Sequence, residues 1–338
     1  MAEQVLSNQA IGDATACVSR GNATGNAPLA KLAVEMIRPP VDLDFSLYIY
    51  AEGDTAPRLY RDRKFPIKAA DIDRLKQGGT DYLYVVSNDI EAYCDYLKET
   101  VVEDTTIAPT VRYEALRQAT RSVFNNAAAN QLIDEVVVVS EYLGQKTVDL
   151  ICNDEVLLAD LFQVMTHDYD TFNHAVNVST YCVMIAREMG CYGQESLVEI
   201  AQGALLHDYG KQYLPRWLLN QTDPLSQAQK ETVMRHLLRG FEELCHRDDL
   251  SWGQLMMVYQ HHERCDGRGY PVASVGREIH EWARICAVAD VFDAMSRNRP
   301  YRRSIDDADV LAYLDRQAGR GFDEEMVRCM IQTTKKST

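Results

Sequence analysis

The stretch Gln260-His261-His262-Glu263-Arg264-Cys265-Asp266-Gly267-Arg268-Gly269-Tyr270-Pro271 constrains this chain more than any other. Trp252, Leu255, Met256, Tyr259 and His262 recur at helical spacing, which puts the two histidines at the end of a helix. Asp266-Gly267 and Gly269-Tyr270-Pro271 are turn signals, so the helix gives way at once to a loop. Paired imidazoles on a rigid element, followed by a glycine-rich loop, suit a metal site with an open face where a ligand approaches the backbone. Taken alone, a solvated His-His pair before a turn fits the stretch as well. The rest of the chain decides between them.

Five of the eight histidines, His174, His207, His236, His261 and His262, fall on or at the end of an expected helix, as do Asp208 and Asp290. Imidazole and carboxylate donors without thiolate describe a catalytic Fe, Mn or Zn centre, not a structural zinc. An aspartate beside a histidine, as Asp208 is beside His207, can bridge two ions. Two metals a few ångström apart are the usual machinery for in-line attack at phosphorus. Lys211 lies at i+4 from His207, on one helix face, where it can stabilise developing phosphoryl charge. Asp170, four residues before His174, is read as a further ligand one helical turn away. Asp293 is read as supporting the Asp290 end of the site or capping the neighbouring turn. His167, His246 and His280 sit among polar residues and read as surface groups, and Cys265 as a loop residue.

A net charge of -15 argues against binding a nucleic-acid polymer, which needs a broad basic surface. Against that background Arg297, Arg299, Arg302 and Arg303 fall within seven residues. With Lys211, Arg264 and Arg268 they suit a small pocket for a compact anion, although a solvated charge run has the same composition. Nine cysteines without CxxC spacing read as reduced side chains in a cytoplasmic protein. The chain begins without a signal-peptide pattern, and no apolar run reaches the length that spans a bilayer.

Length predicts more than one core. Residues 1–36, rich in Ala, Asn, Gly and Ser, read as a disordered tail. Residues 37–105 read as a small α+β domain for regulation or oligomerisation. Its expected strands are Phe45–Ala51, Arg58–Arg61 and Tyr82–Val86, and its expected helices are Ala69–Gln77 and Ile90–Val102. Residues 106–153 read as linking helices, with Val136–Val139 assigned to helix despite its strand propensity. From 154 to 338 helix follows helix, beginning with Val156–Met165 and continuing with Thr171–Met189, stopped by Gly190. Ser196–Glu199 and Ser226–Gln229 read as capping boxes, and Trp282–Ser296 as the helix that carries Asp290 and Asp293. The fold class is therefore α+β multidomain: a small N-terminal α/β module, linking helices and an all-α bundle at the C-terminus.

His207-Asp208-x-Gly210-Lys211 together with His261-His262-Glu263-x-x-Asp266-Gly267-x-Gly269-Tyr270-Pro271 resembles the two signatures of HD-GYP domains, a branch of the HD phosphohydrolases. The likeness continues through Arg284-Ile285, Ala289-Asp290-x-x-Asp293-Ala294 and Arg299-Pro300-Tyr301-Arg302, and spans residues 155 to 335. It implies an HD-GYP helical bundle and a metal-dependent phosphodiesterase that cuts cyclic di-GMP to linear pGpG, or on to GMP. It also implies metal ligation by His174, His207, Asp208, His236, His261, His262 and Asp290, with Asp208 bridging and Lys211 on phosphate. Tyr270, Arg299 and Arg302 would bind the dinucleotide, and Asp293 is grouped with these substrate contacts. The implied cofactors are two divalent ions, Fe or Mn first and Zn, Ni or Co as alternatives. Some relatives hold a third metal with a glutamate at the position of Asp170, where this chain has the shorter aspartate. A homo-oligomer and a diguanylate cyclase or other signalling partner are the expected associations. Two rivals remain at this point: a module that binds cyclic di-GMP or a partner with little turnover, and a hydrolase of another cyclic dinucleotide such as 3′,3′-cGAMP.

Overall fold

The computed structural model describes residues 29–50, 56–63, 65–153, 171–219, 221, 223–297 and 304–335. The expected tail before residue 29 and the expected helix Val156–Met165 lie outside the described residues, as do Asp170, His167, Arg299, Arg302 and Arg303. The chain divides into two compact units at Asn126/Ala127.

The first unit carries a four-stranded antiparallel sheet in the order β1 (Leu29–Ala33), β4 (Tyr82–Val86), β2 (Leu47–Ile49), β3 (Arg58–Arg61). Residues 29–36, counted with the tail by composition, are structured, and Leu29–Ala33 pairs with β4 along its whole length. Strands alternate as a half-covered sheet must: Leu83 and Val85 are buried while Tyr82 is exposed. Leu32 and Leu47 join them in the core. Helices α1 (Ala69–Gln77) and α2 (Ile90–Tyr96) complete the α+β character, α2 running on as a π-helical turn, Leu97–Val102. Phe45 meets the rings of Tyr93 and Tyr96 edge-on, each at 5.7 Å. Tyr93 is buried, so its hydroxyl needs a partner and donates to the carbonyl of Lys31 at 2.8 Å. Helix α3 (Pro109–Ala129) follows.

The second unit is helical apart from isolated bridges among its described residues. Helix α4 (Ile133–Asn153), expected as a linker, packs along α6 (Gln194–Leu206) and belongs to this unit. Val136, Val139, Leu143 and Leu150 form its buried stripe, so periodicity overrides the strand propensity of the valine run. At the centre lies α5 (Thr171–Met189), buried continuously from Phe172 to Ala186. A helix buried all round must satisfy its own polar groups. Thr180 bonds the carbonyl of Val176 at 2.9 Å, and Ser179 that of Ala201 across the α6 contact at 2.8 Å. Helix α6 begins at Gln194 after Gly193, two residues ahead of the expected Ser196 box, which has no capping role.

A short helix α7 (Arg216–Leu219) leads to α8 (Gln227–Met234), where the Ser226–Gln229 capping box forms as read from sequence. Helix α9 (His236–Leu244) follows after one residue, then α10 (Trp252–Gln260), α11 (Glu281–Ser296), α12 (Asp307–Gln317) and α13 (Glu324–Lys335). Helix α10 packs on α6 and α11, and α11 packs back on α5, so the ends of α6 and α10 meet the N-terminal part of α5.

One contact sets the spacing of these ends. After α6 the chain makes a 3-10 turn, Tyr209–Tyr213, and Gly210 in that turn lies hard against α9. A Cβ at Gly210 would fall 1.9 Å from the His236 carbonyl oxygen and 2.7 Å from the amide nitrogen of Gly240. Both are backbone atoms and cannot swing aside. Gly210→Ala is therefore expected to cost roughly 1–3 kcal/mol as an overpacking change and to move His236 away from Asp208. Thermal denaturation beside metal analysis checks this; wild-type stability and metal content would show that the contact is not limiting.

Candidate metal centre

Four helix ends and one helix face supply the donors. His174 lies in the first turn of α5, His207 and Asp208 follow α6, His236 opens α9, His261 and His262 follow α10, and Asp290 lies on α11. All are buried except His262, which is half-buried. Asp208 stands between two groups. Its Oδ2 is 3.3 Å from His207 Nε2 and 3.5 Å from His174 Nε2. Its Oδ1 is 3.4 Å from His236 Nε2 and 3.6 Å from His261 Nε2. Donor atoms of His174, His207 and Asp208 fall within 4.8 Å of one another, and those of Asp208, His236, His261 and His262 do likewise. Asp290 spans the two groups from the other side, Oδ1 at 3.3 Å from His174 Nε2 and Oδ2 at 3.7 Å from His262 Nδ1.

The outer nitrogens fix how the rings present themselves. His207 Nδ1 meets the Ala204 carbonyl at 2.6 Å, His236 Nδ1 that of Val233 at 2.7 Å and His261 Nδ1 that of Met257 at 2.9 Å. A carbonyl only accepts, so each Nδ1 carries a proton and each Nε2 points inward, where it offers a lone pair once the ring is neutral. His207 Nε2, His236 Nε2, His261 Nε2 and Asp208 Oδ1 are buried and have no hydrogen-bond partner. Buried polar atoms are rarely left so, and several lone pairs converging without a donor is the arrangement a cation satisfies. The residues fit divalent metal, and Asp208 belongs to both donor groups.

Charge in the cluster is uneven. Burial would raise Asp208, but Lys211, His207 and His174 hold it well below the usual carboxylate range. Burial opposes charge on His207 too, yet the Asp208 carboxylate outweighs it and pushes the imidazole up to about 9. At His174 the carboxylates of Asp208, Asp290 and Asp293 likewise override burial and raise the group well above its ordinary value. Burial wins at His261, pulled down to about 4, and at His262, which also feels His261.

The glycine-rich loop is tied down from beneath by Glu263, 2% exposed, which the sequence reading left without a role. Its Oε1 accepts from the amides of Val272 at 2.8 Å and Ala273 at 3.1 Å, and its Oε2 from Ser274 at 3.1 Å. Gly269 lets the loop pass close over its own stem: a Cβ there would lie 2.4 Å from the Arg264 nitrogen and from Glu263 Cα. This brings the Tyr270 ring to 4.9 Å from that of His262.

Comparison with known proteins identifies the arrangement. The HD domain family model matches residues 156–326, half the chain, and takes in every donor above. The chain belongs to the HD domain family, in its HD-GYP branch. It is 27% identical to a cyclic di-GMP phosphodiesterase of Pseudomonas aeruginosa over 78% of this chain and 67% of that one. To the cyclic di-GMP phosphodiesterase response regulator RpfG of Xanthomonas campestris it is 37% identical over 44% of this chain and 39% of the relative. To 3′3′-cGAMP-specific phosphodiesterase 2 of Vibrio cholerae it is 32% identical, over 48% and 31%. It thus spans about two thirds of the first relative and well under half of the other two. An HDG"Y"P protein of Bdellovibrio bacteriovorus shares the fold, with a TM-score of 0.66 and 19% identity over 91% of this chain and 99% of that one.

Within the HD-GYP site the structure gathers His174, His207, Asp208, His236, His261, His262 and Asp290 into one cluster, with Lys211 ion-paired to Asp208 and Tyr270 at its edge. Lys211 reaches Asp208 from the 3-10 turn, not from a continued α6 face. Three expectations change. Asp293, grouped with the substrate contacts, is 1% exposed and has both oxygens engaged by His174, Asn177 and Arg297, so it supports a ligand instead. Arg297, grouped with the anion-binding arginines, turns inward and is 3% exposed. Arg264 donates to the carbonyls of His261 and Glu263 and lies over the Phe322 ring, which removes it from the basic pocket. Among the weaker candidates, His280 caps α11 by accepting from the Trp282 amide at 3.2 Å. Arg268 is exposed beside Asp266.

Because His207 is protonated at neutral pH before metal arrives, uptake of a metal must release a proton. Apparent Mn2+ affinity is expected to rise with pH from neutrality toward about 9, where the imidazole loses its proton unaided. Calorimetry in buffers of different ionisation enthalpy measures the release; an affinity independent of pH over that range would show that His207 is already neutral before the metal binds.

Proposed function

We propose that this HD-GYP protein is a metal-dependent phosphodiesterase that hydrolyses cyclic di-GMP to linear pGpG, and to GMP where the product rebinds. The observation that carries the reading is the shared carboxylate: Asp208 belongs to two groups of imidazoles, and the inward nitrogens of His207, His236 and His261 are buried without a hydrogen-bond partner. When bound, a metal pair lowers the pKa of water toward ~7 and offsets phosphoryl charge. The chain's own part is to orient the substrate and meet its charge. Lys211, whose side chain is partly exposed beside Asp208, supplies an ammonium for the phosphate oxygens. Tyr270 borders the same opening as half-buried His262 and gives a guanine base an aromatic edge to lie against. Arg299 and Arg302 are proposed to grip the second phosphate, since a guanidinium binds phosphate bidentately. Iron or manganese suits the imidazole and carboxylate donors, with zinc, nickel or cobalt as alternatives, and Asp170 is proposed as ligand of a third ion.

Hydrolysis of 3′,3′-cGAMP is the second reading, favoured by the likeness to the Vibrio enzyme and by an active-site motif that does not separate two purines. A pure binding module has no use for seven metal donors and Lys211. The N-terminal unit is proposed to regulate or oligomerise the enzyme, in a cytoplasmic setting that brings it to a diguanylate cyclase or other signalling partner. No helix among the described residues is long and apolar enough to cross a membrane.

Purified protein with Mn2+ or Fe2+, given cyclic di-GMP and 3′,3′-cGAMP with products resolved by chromatography, tests the reading. Turnover of cyclic di-GMP is expected and should vanish, with the bound metal, in a folded Asp208→Ala variant; Asp170→Ala in the same series tests the third ion. No turnover of any cyclic dinucleotide by metal-loaded protein would sink the enzyme reading.

The arginine pair has its own test. Each charge-assisted hydrogen bond lost costs ~1.5–3 kcal/mol, so Arg299→Ala with Arg302→Ala should raise KM at least about tenfold. Metal content should stay unchanged. Surface ion pairs, worth ~0–1 kcal/mol, would leave KM nearly as it was, and that result would take both residues out of the binding site.

A further inference from the structure

The outer nitrogens of the ligand histidines do not all meet the same kind of partner. Those of His207, His236 and His261 meet backbone carbonyls belonging to their own or the preceding helix. His174 Nδ1 instead meets a side chain, Asp293 Oδ2, at 2.8 Å across the α5–α11 contact. The other Asp293 oxygen accepts from Asn177 Nδ2 at 2.9 Å, one turn along α5, and from Arg297 Nε at 3.0 Å, one turn along α11. Arg297 in turn donates through Nη2 to the Tyr181 hydroxyl at 3.1 Å, again on α5. The Tyr181 ring is fixed by Phe292, edge-on at 5.1 Å. Asp293 and Arg297 are 1% and 3% exposed, so this ion pair is held away from solvent.

We infer that Asp293 and Arg297 are positioning residues that set the strength of one metal position, the one formed by His174 and His207, and leave the other largely alone. The inference rests on the metal-centre reading above. Its logic is geometric. A backbone carbonyl of the same helix cannot be retuned, whereas a side-chain carboxylate can shift, rotate or be replaced. Asp293 can hold the His174 ring with Nε2 aimed at Asp208 and Asp290 only while its own two oxygens are fixed. Asn177 and Arg297 do the fixing, and Tyr181 orients the guanidinium. The chain of contacts Tyr181–Arg297–Asp293–His174 ends in the donor group His174, His207, Asp208. The group Asp208, His236, His261, His262 meets this chain of side chains through Asp208 and Asp290. A carboxylate behind a metal-bound imidazole also strengthens its donation, and losing such a partner typically weakens metal binding ~10–100-fold.

The test is a Mn2+ titration of the full chain, followed by calorimetry and elemental analysis, for wild type, Asp293→Asn, Arg297→Gln and Arg297→Lys. Wild type is expected to fill both positions of the centre, in addition to any ion held by Asp170. Asp293→Asn, nearly isosteric, should weaken one of them about 10–100-fold and leave the second within about twofold. Arg297→Gln should weaken the same single metal, and Arg297→Lys should recover part of the loss. A general loosening of the bundle would instead weaken both metals together, lower the apo melting temperature and show no rescue by lysine. That pattern, or two metals bound as in wild type, overturns the inference. Should Asp293→Asn fail to fold, the comparison of Arg297→Lys with Arg297→Gln decides by the same criterion. A wild-type protein that takes up no metal overturns the centre itself, a result distinct from either pattern.

Discussion

The burial of the Asp208 carboxylate among imidazoles is the interaction on which the second unit depends. An isolated carboxylate moved out of water is strongly disfavoured, and its penalty is met only by paired charge and directed donors. Among the described residues Lys211, His207 and His174 hold it in the charged form, while the inward nitrogens of His236 and His261 face its other oxygen without a hydrogen-bond partner. Lone pairs do not stabilise an anion. That side of the cluster is incomplete as a protein-only structure, and a cation would complete it. This is a physical ground for metal binding, independent of any likeness to other proteins.

The frame around Asp208 explains why the donors come from helix ends. A helix end delivers a side chain at a fixed place and leaves backbone carbonyls nearby to hold an imidazole. His207, His236 and His261 each use a carbonyl three or four residues back, so the backbone just before the ring sets its tautomer. The Gly210 contact with α9 and the Gly269 contact with the loop stem bring these ends closer than any side chain would allow. Glu263 then spends a buried carboxylate on three loop amides, which keeps the Tyr270 edge of the site in place without using a metal donor.

Much of this was legible in the sequence, and what was not has physical reasons. The end of helix α5 could be read because Gly190 stops it with a left-handed backbone, φ +71°. The donors could be read because imidazole and carboxylate recur at helix ends beside glycine-rich turns. Strand β1 was missed because five residues such as Leu29–Ala33 declare themselves only by pairing with a distant strand. Arg297 was grouped with the anion-binding arginines, and Asp293 was read both as support for the site and as a substrate contact, because sequence gives their spacing, i and i+4, but not which way each side chain turns. Asn177, at i+3 from His174 within a run of buried residues, was a signal that could have been used. Glu263 sat inside a motif whose histidines drew the attention, and its partners lie nine to eleven residues on, beyond local pattern.

Whether Asp208 is shared by two metal positions can be seen by anomalous scattering from a crystal grown with Mn2+. Two peaks are predicted, both within ligand distance of Asp208, one beside His174 and His207 and the other beside His236, His261 and His262. A single peak, or two peaks of which only one touches Asp208, would contradict the account.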